Sequence, residues 1–177
     1  MPRVITEALD EPDAVVTFLV LALACLVIAW ALGGRYGRPR WLVALALLSV
    51  AAIVAATVVP QGGWSFLMQG YSEPLTECLG LDAWRGVVIR PIEADTLLNV
   101  ALFIPAGFLW VTVVGRPVRV VLALASLSVG IEWWQALSHG RSCTANDVAA
   151  NTIGALVGAS VGAVVARLVK RRSVREG

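Results

Sequence analysis

One short stretch toward the C-terminal end of the chain concentrates the side chains that could do chemistry. Glu132 is the only carboxylate embedded in an apolar run, and His139 is the only histidine. Arg141, Asp147 and Asn151 follow closely. A charged side chain inside a membrane segment costs roughly 2.5–3.5 kcal/mol on insertion scales, so it is by default a functional-site hypothesis. These residue types locate a candidate site but do not by themselves name a reaction.

The composition places the chain in a membrane. Of 177 residues, 58% are hydrophobic and 15% are charged, and the mean hydropathy is +0.79. Soluble domains average about 45–50% apolar and about 25% charged residues. A chain of this length forms one domain or a small helical bundle. The fold class predicted is therefore an all-α integral membrane protein, located in the cell membrane as a multi-pass protein.

Five apolar segments have the length to cross a bilayer, since about 20 helical residues span a ~30 Å hydrocarbon core. We predict spans at residues 14–32, 41–59, 96–114, 120–137 and 146–168. The first could instead be a cleaved signal peptide, because Ala29 and Ala31 form a small-x-small pair. Its start is acidic and arginines follow it, which favours a retained helix.

The distribution of basic residues predicts the orientation. With the N-terminus outside, ten of the 14 Lys and Arg residues lie on the inner side, in the two short turns and the C-terminal tail. By the positive-inside rule this indicates an external N-terminus and a cytoplasmic C-terminus. The connection over residues 60–95, between the second and third helices, is then a long extracytoplasmic loop. Its aromatic and charged residues suit either a segment lying on the membrane surface or an ordered loop.

Two of the three cysteines fall on the predicted outer side, where disulfides persist. A Cys78–Cys143 bridge would tie the long loop to the turn between the fourth and fifth helices, and two unrelated thiols are the alternative. Cys25 lies within an apolar segment, and the spacing contains no CxxC-type framework. The sequence therefore predicts neither a metal site nor a cofactor.

The polar residues of the third, fourth and fifth helices are predicted to meet at one depth. Glu132 lies roughly 7–8 Å below the outer end of the fourth helix. The others also lie near the outer ends of their helices, so we predict a polar pocket open to the extracytoplasmic face. The candidate ligand-binding residues are Asn99, Glu132, Gln135, Arg141, Asp147 and Asn151.

Small residues predict where helices approach closely. Gly154, Gly158 and Gly162 follow small-xxx-small spacing on the fifth helix, continuing the stripe that begins at Asp147 and Asn151. In the third helix, Pro105 with Gly107 should kink or locally loosen the chain.

Each candidate also has a purely structural interpretation. Glu132 could form a buried salt bridge with Arg141, and Asp147 could simply cap the fifth helix. Asn99 could make an interhelical hydrogen bond without a ligand, and His139 could be a surface turn residue. Convergence of several polar groups at one depth nevertheless favours a site.

Three ordered blocks resemble the VanZ-like family of small membrane proteins. They are the run from Asn99 through Pro105 to Gly107, then Glu132-Trp-Trp-Gln135, then Gly140-Arg141-Ser142 followed by Asp147, Asn151 and Gly154. The resemblance covers residues 41–168 and implies a four-helix core there. Residues 1–40 then form an N-terminal tail, an added first helix and a basic turn, and residues 169–177 form a basic cytoplasmic tail. Members usually carry acids where this chain has Thr144 and Asn146, which argues against an acidic cation site.

The resemblance implies a role at the outer face of the membrane. The family's founding member is linked to low-level resistance to teicoplanin, a lipoglycopeptide. A non-catalytic envelope protein would bind an amphiphile of this kind or a lipid-linked cell-wall precursor, among other membrane lipids, with Arg141 recognising a phosphate or carboxylate.

Two other functional classes compete with this hypothesis. An intramembrane enzyme would use Glu132 as general acid or base, assisted by His139 or Asp147. The sequence shows no nucleophile–base pair to support it. A small carrier is disfavoured because the inner halves of the helices are apolar, and nothing indicates nucleic-acid binding.

Overall fold

The protein is a bundle of long α-helices in a computed structural model that describes residues 12–59, 64, 94–139 and 145–175. The helices in this part of the chain are α1 (Pro12–Leu32), α2 (Arg40–Val58), α3 (Ala94–Val114), α4 (Pro117–His139) and α5 (Ala145–Arg175). All five are long and apolar enough to cross a membrane, which confirms the predicted all-helical fold and its five spans. A single 3-10 turn, Gly33–Tyr36, lies between α1 and α2.

Contacts between helix ends show that successive helices run in opposite directions. The indole nitrogen of Trp134, near the end of α4, donates to the carbonyl of Val58 at the end of α2 (2.7 Å). At the opposite end of the bundle, the Arg40 guanidinium that begins α2 lies 5.7 Å from the ring centroid of Trp30, near the end of α1. We call the end where α1, α3 and α5 begin the loop end, and the opposite end the turn end.

Trp64, which follows α2 in the sequence, also makes contacts at the loop end. The backbone N–H of Trp64 donates to Asp13 Oδ2 (2.8 Å), and its indole N–H donates to Thr17 Oγ1 (3.1 Å). Asp13 and Thr17 lie in the first two turns of α1, so residue 64 returns to the beginning of the first helix.

The turn between α3 and α4 depends on one glycine. Gly115 has a φ of 71°, a left-handed conformation that favours glycine, and its N–H donates to the carbonyl of Val111 (2.8 Å). Pro117 then begins α4, where its fixed φ suits the first helical position. Together, Gly115 and Pro117 allow α3 and α4 to be joined by a very short turn.

Two apolar clusters hold the helices together. The larger joins α2, α3, α4 and α5 around Phe103, with Ile53, Leu124, Ala155 and others. The smaller joins α1 to α2 and α3. α1 is peripheral, because most of its large side chains are exposed to the space where lipid would lie.

The tightest packing is between α3 and α5, which run side by side in the same direction. A Cβ added at Gly154 or Gly158 would collide with the carbonyl oxygen of Val100 or Ile104 respectively. Only glycine permits this approach, in which Cα–H groups face backbone carbonyls.

The same interface continues along both helices toward the turn end. A Cβ at Gly162 would lie 2.7 Å from the carbonyl oxygen of Phe108, and one at Gly107 would collide with the carbonyl of Ala155. α3 continues through Pro105, whose missing N–H leaves the Ala101 carbonyl without a helical donor.

α5 is longer than the predicted span, since it runs from Ala145 to Arg175 rather than ending near residue 168. Its last turns carry Lys and Arg, which are good helix formers, so the helix continues beyond the apolar segment. Hydropathy marks where a span ends in the membrane, which need not be where the helix ends.

Candidate functional site

Asn99 and Asp147 join α3 to α5 at the loop end. The Asn99 side-chain nitrogen donates to Asp147 Oδ1 over 3.0 Å, and both residues are half-buried. Asp147 lies in the first turn of α5, where its charge complements the positive end of the helix dipole. One carboxylate therefore serves both the start of α5 and the contact between helices.

A second polar contact lies deeper, between α4 and α5. Asn151 Nδ2 donates to Ser128 Oγ over 2.8 Å, and these residues are only 3% and 0% exposed. Ser128 was not among the predicted site residues. It precedes Glu132 by one helical turn, so the shared face of α4 was the available signal.

Glu132 is the third buried polar residue of the described chain, with 4% exposure. It lies one turn from Ser128 on the side of the loop end, roughly 10 Å along α4 from His139. This position falls within the segment Pro117–Ala136 that could span a membrane. We call Ser128, Glu132 and Asn151 the buried triad.

One atom of the triad lacks a hydrogen-bond partner within the part of the chain that the structure describes. The side-chain oxygen of Asn151 is buried and accepts no hydrogen bond there. Leaving such a group unsatisfied costs about 1–3 kcal/mol. The indole nitrogen of Trp110, nearer the turn end of α3, is the other atom of this kind in the described residues.

Gln135 points away from the other candidate residues, toward α2. Its side-chain nitrogen donates to the carbonyl of Thr57 (2.9 Å), next to the bond from Trp134 to Val58. The last carbonyls of a helix have no partner within the helix, and in a membrane water is not available to replace one. Gln135 and Trp134 therefore complete the end of α2, a role that the sequence did not reveal.

We expect Trp134→Phe to lower the free energy of unfolding by about 1 kcal/mol, because the Val58 carbonyl loses its donor. The measurement is thermal unfolding in detergent. Trp133→Phe is the matched control, since Trp133 is 44% exposed and makes no hydrogen bond to α2 in the described structure. Equal destabilisation by both variants would show that the bond from Trp134 contributes nothing specific.

Several predicted residues lie outside the described part of the chain. These are Gly140, Arg141, Cys78 and Cys143, and the side chain of His139 at the end of α4. The Cys78–Cys143 bridge and the recognition role of Arg141 therefore stay predictions.

The chemistry of the described site is that of hydrogen bonding. The hydroxyl oxygen of Ser128 accepts from an amide, whereas a nucleophilic serine needs a base as its partner. No group of three or more His, Cys, Asp or Glu side chains that could hold a metal ion occurs among the described residues. This arrangement suits recognition of a polar group.

The polar contacts extend to the middle of α4, deeper than the predicted position near the helix ends, because Ser128 lies there. A helical serine can satisfy its hydroxyl on the backbone, so its position carries little signal in the sequence. Beyond it, toward the turn end, the described core is apolar around Leu124, Val120 and Ala159. No polar line crosses the described bundle, so the carrier hypothesis gains no support.

The family model described as VanZ/LLP1 matches residues 16–168, a range that begins within α1 and reaches into α5. No curated protein and no solved structure shows significant similarity to the chain. The five apolar helices and this match make the chain a multi-pass membrane protein. Because the match covers most of its length, and includes all the motif blocks from Asn99 to Gly154, the chain belongs to the VanZ/LLP1 family.

Proposed function

We propose that this protein is a non-catalytic protein of the cell envelope that binds a lipid-linked or lipid-tailed molecule at its loop end. The polar head of the ligand lies at the buried triad and the Asn99–Asp147 pair, and its apolar tail lies in the surrounding lipid. Candidate ligands are a lipoglycopeptide such as teicoplanin and a lipid-linked cell-wall precursor.

The observation that carries this proposal is the unused acceptor at Asn151. An amide oxygen held at 3% residue exposure inside apolar helices is unfavourable unless something donates to it. Glu132 lies one turn from the serine that holds this amide. A ligand that brings a hydroxyl, amide N–H or ammonium group would supply the missing donor.

The distribution of arginines supports one side of the membrane for the proposed site. Arginines gather at the turn end, with Arg35, Arg38 and Arg40 in the first turn and Arg116 and Arg119 in the second. The positive-inside rule supports placing this end in the cytoplasm, which puts the loop end outside. A lipoglycopeptide or an exported lipid precursor meets the protein on that side.

A lipid tail explains why the site lies within the membrane. The head group enters at the depth of Glu132 while the tail remains beside the helices, so the ligand never leaves the bilayer. Arg141, which follows α4 in the sequence, would add a planar donor for a phosphate or carboxylate.

The test is thermal unfolding of the purified protein in detergent with teicoplanin, with the same glycopeptide lacking its acyl tail, and with a polyprenyl diphosphate. A ligand present at about one hundred times its Kd stabilises by about 2.7 kcal/mol, which raises the unfolding midpoint by roughly 5–10 °C. We expect this shift with at least one tailed compound and not with the tail-less one.

Variants show whether the shift comes from the buried triad. Asn151→Leu should abolish it, because the acceptor is lost while the branched shape of the side chain is kept. Thr152→Ala is the matched control, since the Thr152 hydroxyl donates to its own helix at the Val148 carbonyl. An equal shift in Asn151→Leu, or no shift with any tailed compound, would contradict the proposal.

A further inference from the structure

We propose that the protein has a second, separate binding site, for a phospholipid with an anionic head group, in a groove between α4 and α5 near the turn end. The groove encloses about 230 Å³. Its walls come from within residues 117–122 of α4 and 156–160 of α5. It lies on the other side of the apolar core from the buried triad and shares no residue with it.

The groove suits an acyl chain. Apart from the hydroxyl of Ser160 its walls are apolar, and Val118, Leu122 and Leu156 are each more than half exposed, so it opens sideways to the lipid. Its volume is below the roughly 300–1,000 Å³ of sites for drug-sized molecules. Part of one lipid tail fits such a space.

The tail alone cannot make the site selective, because hydrocarbon chains are as apolar as the leucine side chains that line it. Selectivity has to come from charge at the mouth of the groove. Arg116 and Arg119 do not line the groove, but both lie at its turn end, next in sequence to the lining residues Pro117 and Val118. Both arginines are exposed, and neither side chain has a partner among the described residues.

A third arginine lies on α5, closer to the turn end than the groove. Arg167 follows Ser160 by two helical turns on the same face of the helix, and it is also exposed. A guanidinium binds a phosphate through two parallel hydrogen bonds. The positive end of the α4 dipole, which begins at Pro117, adds to the attraction for an anion. Three arginines around the end of an apolar groove fit the phosphate and tail of one anionic phospholipid.

The head group is tested by native mass spectrometry of the full-length protein titrated with phosphatidylglycerol and with phosphatidylcholine of identical chains. We expect preferential retention of phosphatidylglycerol. Each basic residue beside an anionic lipid is worth roughly a five-fold change in affinity, so Arg116→Ala/Arg119→Ala should weaken its binding by about 25-fold. Phosphatidylcholine binding should change little.

The control for net charge is Arg35→Ala/Arg38→Ala, which removes the same charge from the other turn at the same end of the bundle. An equal loss of phosphatidylglycerol in this control would show only general attraction of the turn end for anions, and would overturn the proposal. Equal retention of the two lipids by the unaltered protein would overturn it as well.

The groove is tested by filling it. Ser160→Phe places a ring between α4 and α5 and should reduce retention of both lipids several-fold. Ser126→Phe is the matched control, since Ser126 is an exposed serine of α4 outside the groove. Unchanged lipid retention in Ser160→Phe, with elution and helical content as in the unaltered protein, would exclude the groove as the site of the tail.

Discussion

Gly158→Ala is expected to destabilise the protein by about 3 kcal/mol, at the upper end of the range for overpacking a well-packed core. The added methyl group would collide with the carbonyl of Ile104 and lie 2.9 Å from the backbone nitrogen of Phe108. Because these are backbone atoms of a regular helix, no side-chain rotation relieves the clash. α3 and α5 have to separate, and the contacts along Gly154 and Gly162 weaken together with this one.

Gly130→Ala is the matched control and should have the opposite effect. Gly130 lies inside α4, and a Cβ there meets nothing within 4 Å. Alanine is the better helix former by roughly 0.5–1 kcal/mol, so this variant should be as stable as the unaltered protein or slightly more stable. Thermal or denaturant unfolding in the same detergent measures both. If Gly158→Ala and Gly130→Ala were equally stable, α3 and α5 would not approach each other as closely as described.

Ser128→Ala/Asn151→Leu is expected to abolish ligand-dependent stabilisation completely while leaving the stability of the free protein within about 1 kcal/mol of normal, or raising it. Replacing both partners of a buried hydrogen bond by apolar groups of similar shape is often neutral or favourable. The double variant also removes the unsatisfied oxygen of Asn151. A pair with no role in ligand binding would leave the ligand-dependent stabilisation unchanged.

The single variant Ser128→Ala makes the comparison decisive. It removes the acceptor of the Asn151 amide nitrogen and leaves that group buried, which should destabilise by about 1–3 kcal/mol. The double variant should then recover that loss, a coupling that a double-mutant cycle measures. If the double variant lost as much as the two single variants added together, Ser128 and Asn151 would not be coupled, and the buried hydrogen bond on which the proposed site depends would be wrong.

The helices were predictable because a membrane leaves few alternatives. A segment of about 20 apolar residues that must satisfy its own backbone becomes a helix, so hydropathy alone located all five. The small-xxx-small spacing of Gly154, Gly158 and Gly162 indicated a close neighbour, although not that the neighbour is α3.

The partners within the site were less predictable. Which side chains meet depends on how each helix is rotated and shifted against its neighbours, and that is set by packing rather than by spacing along one helix. The partner of Asn151 is Ser128, an uncharged residue that the sequence did not mark as a candidate. Gln135 instead forms its hydrogen bond with the end of α2. The pairing of Asn99 with Asp147 has the same origin.

The parallel contact of α3 with α5 also has a consequence for biogenesis. Chains are made from the N-terminus, so the third helix enters the membrane well before its tightest neighbour has been synthesised. Until the last helix arrives, the backbone carbonyls of Val100, Ile104 and Phe108 face lipid instead of glycine. A nascent chain that stops before Ala145 therefore lacks the centre of its own bundle, and the final helix acts as the step that completes assembly.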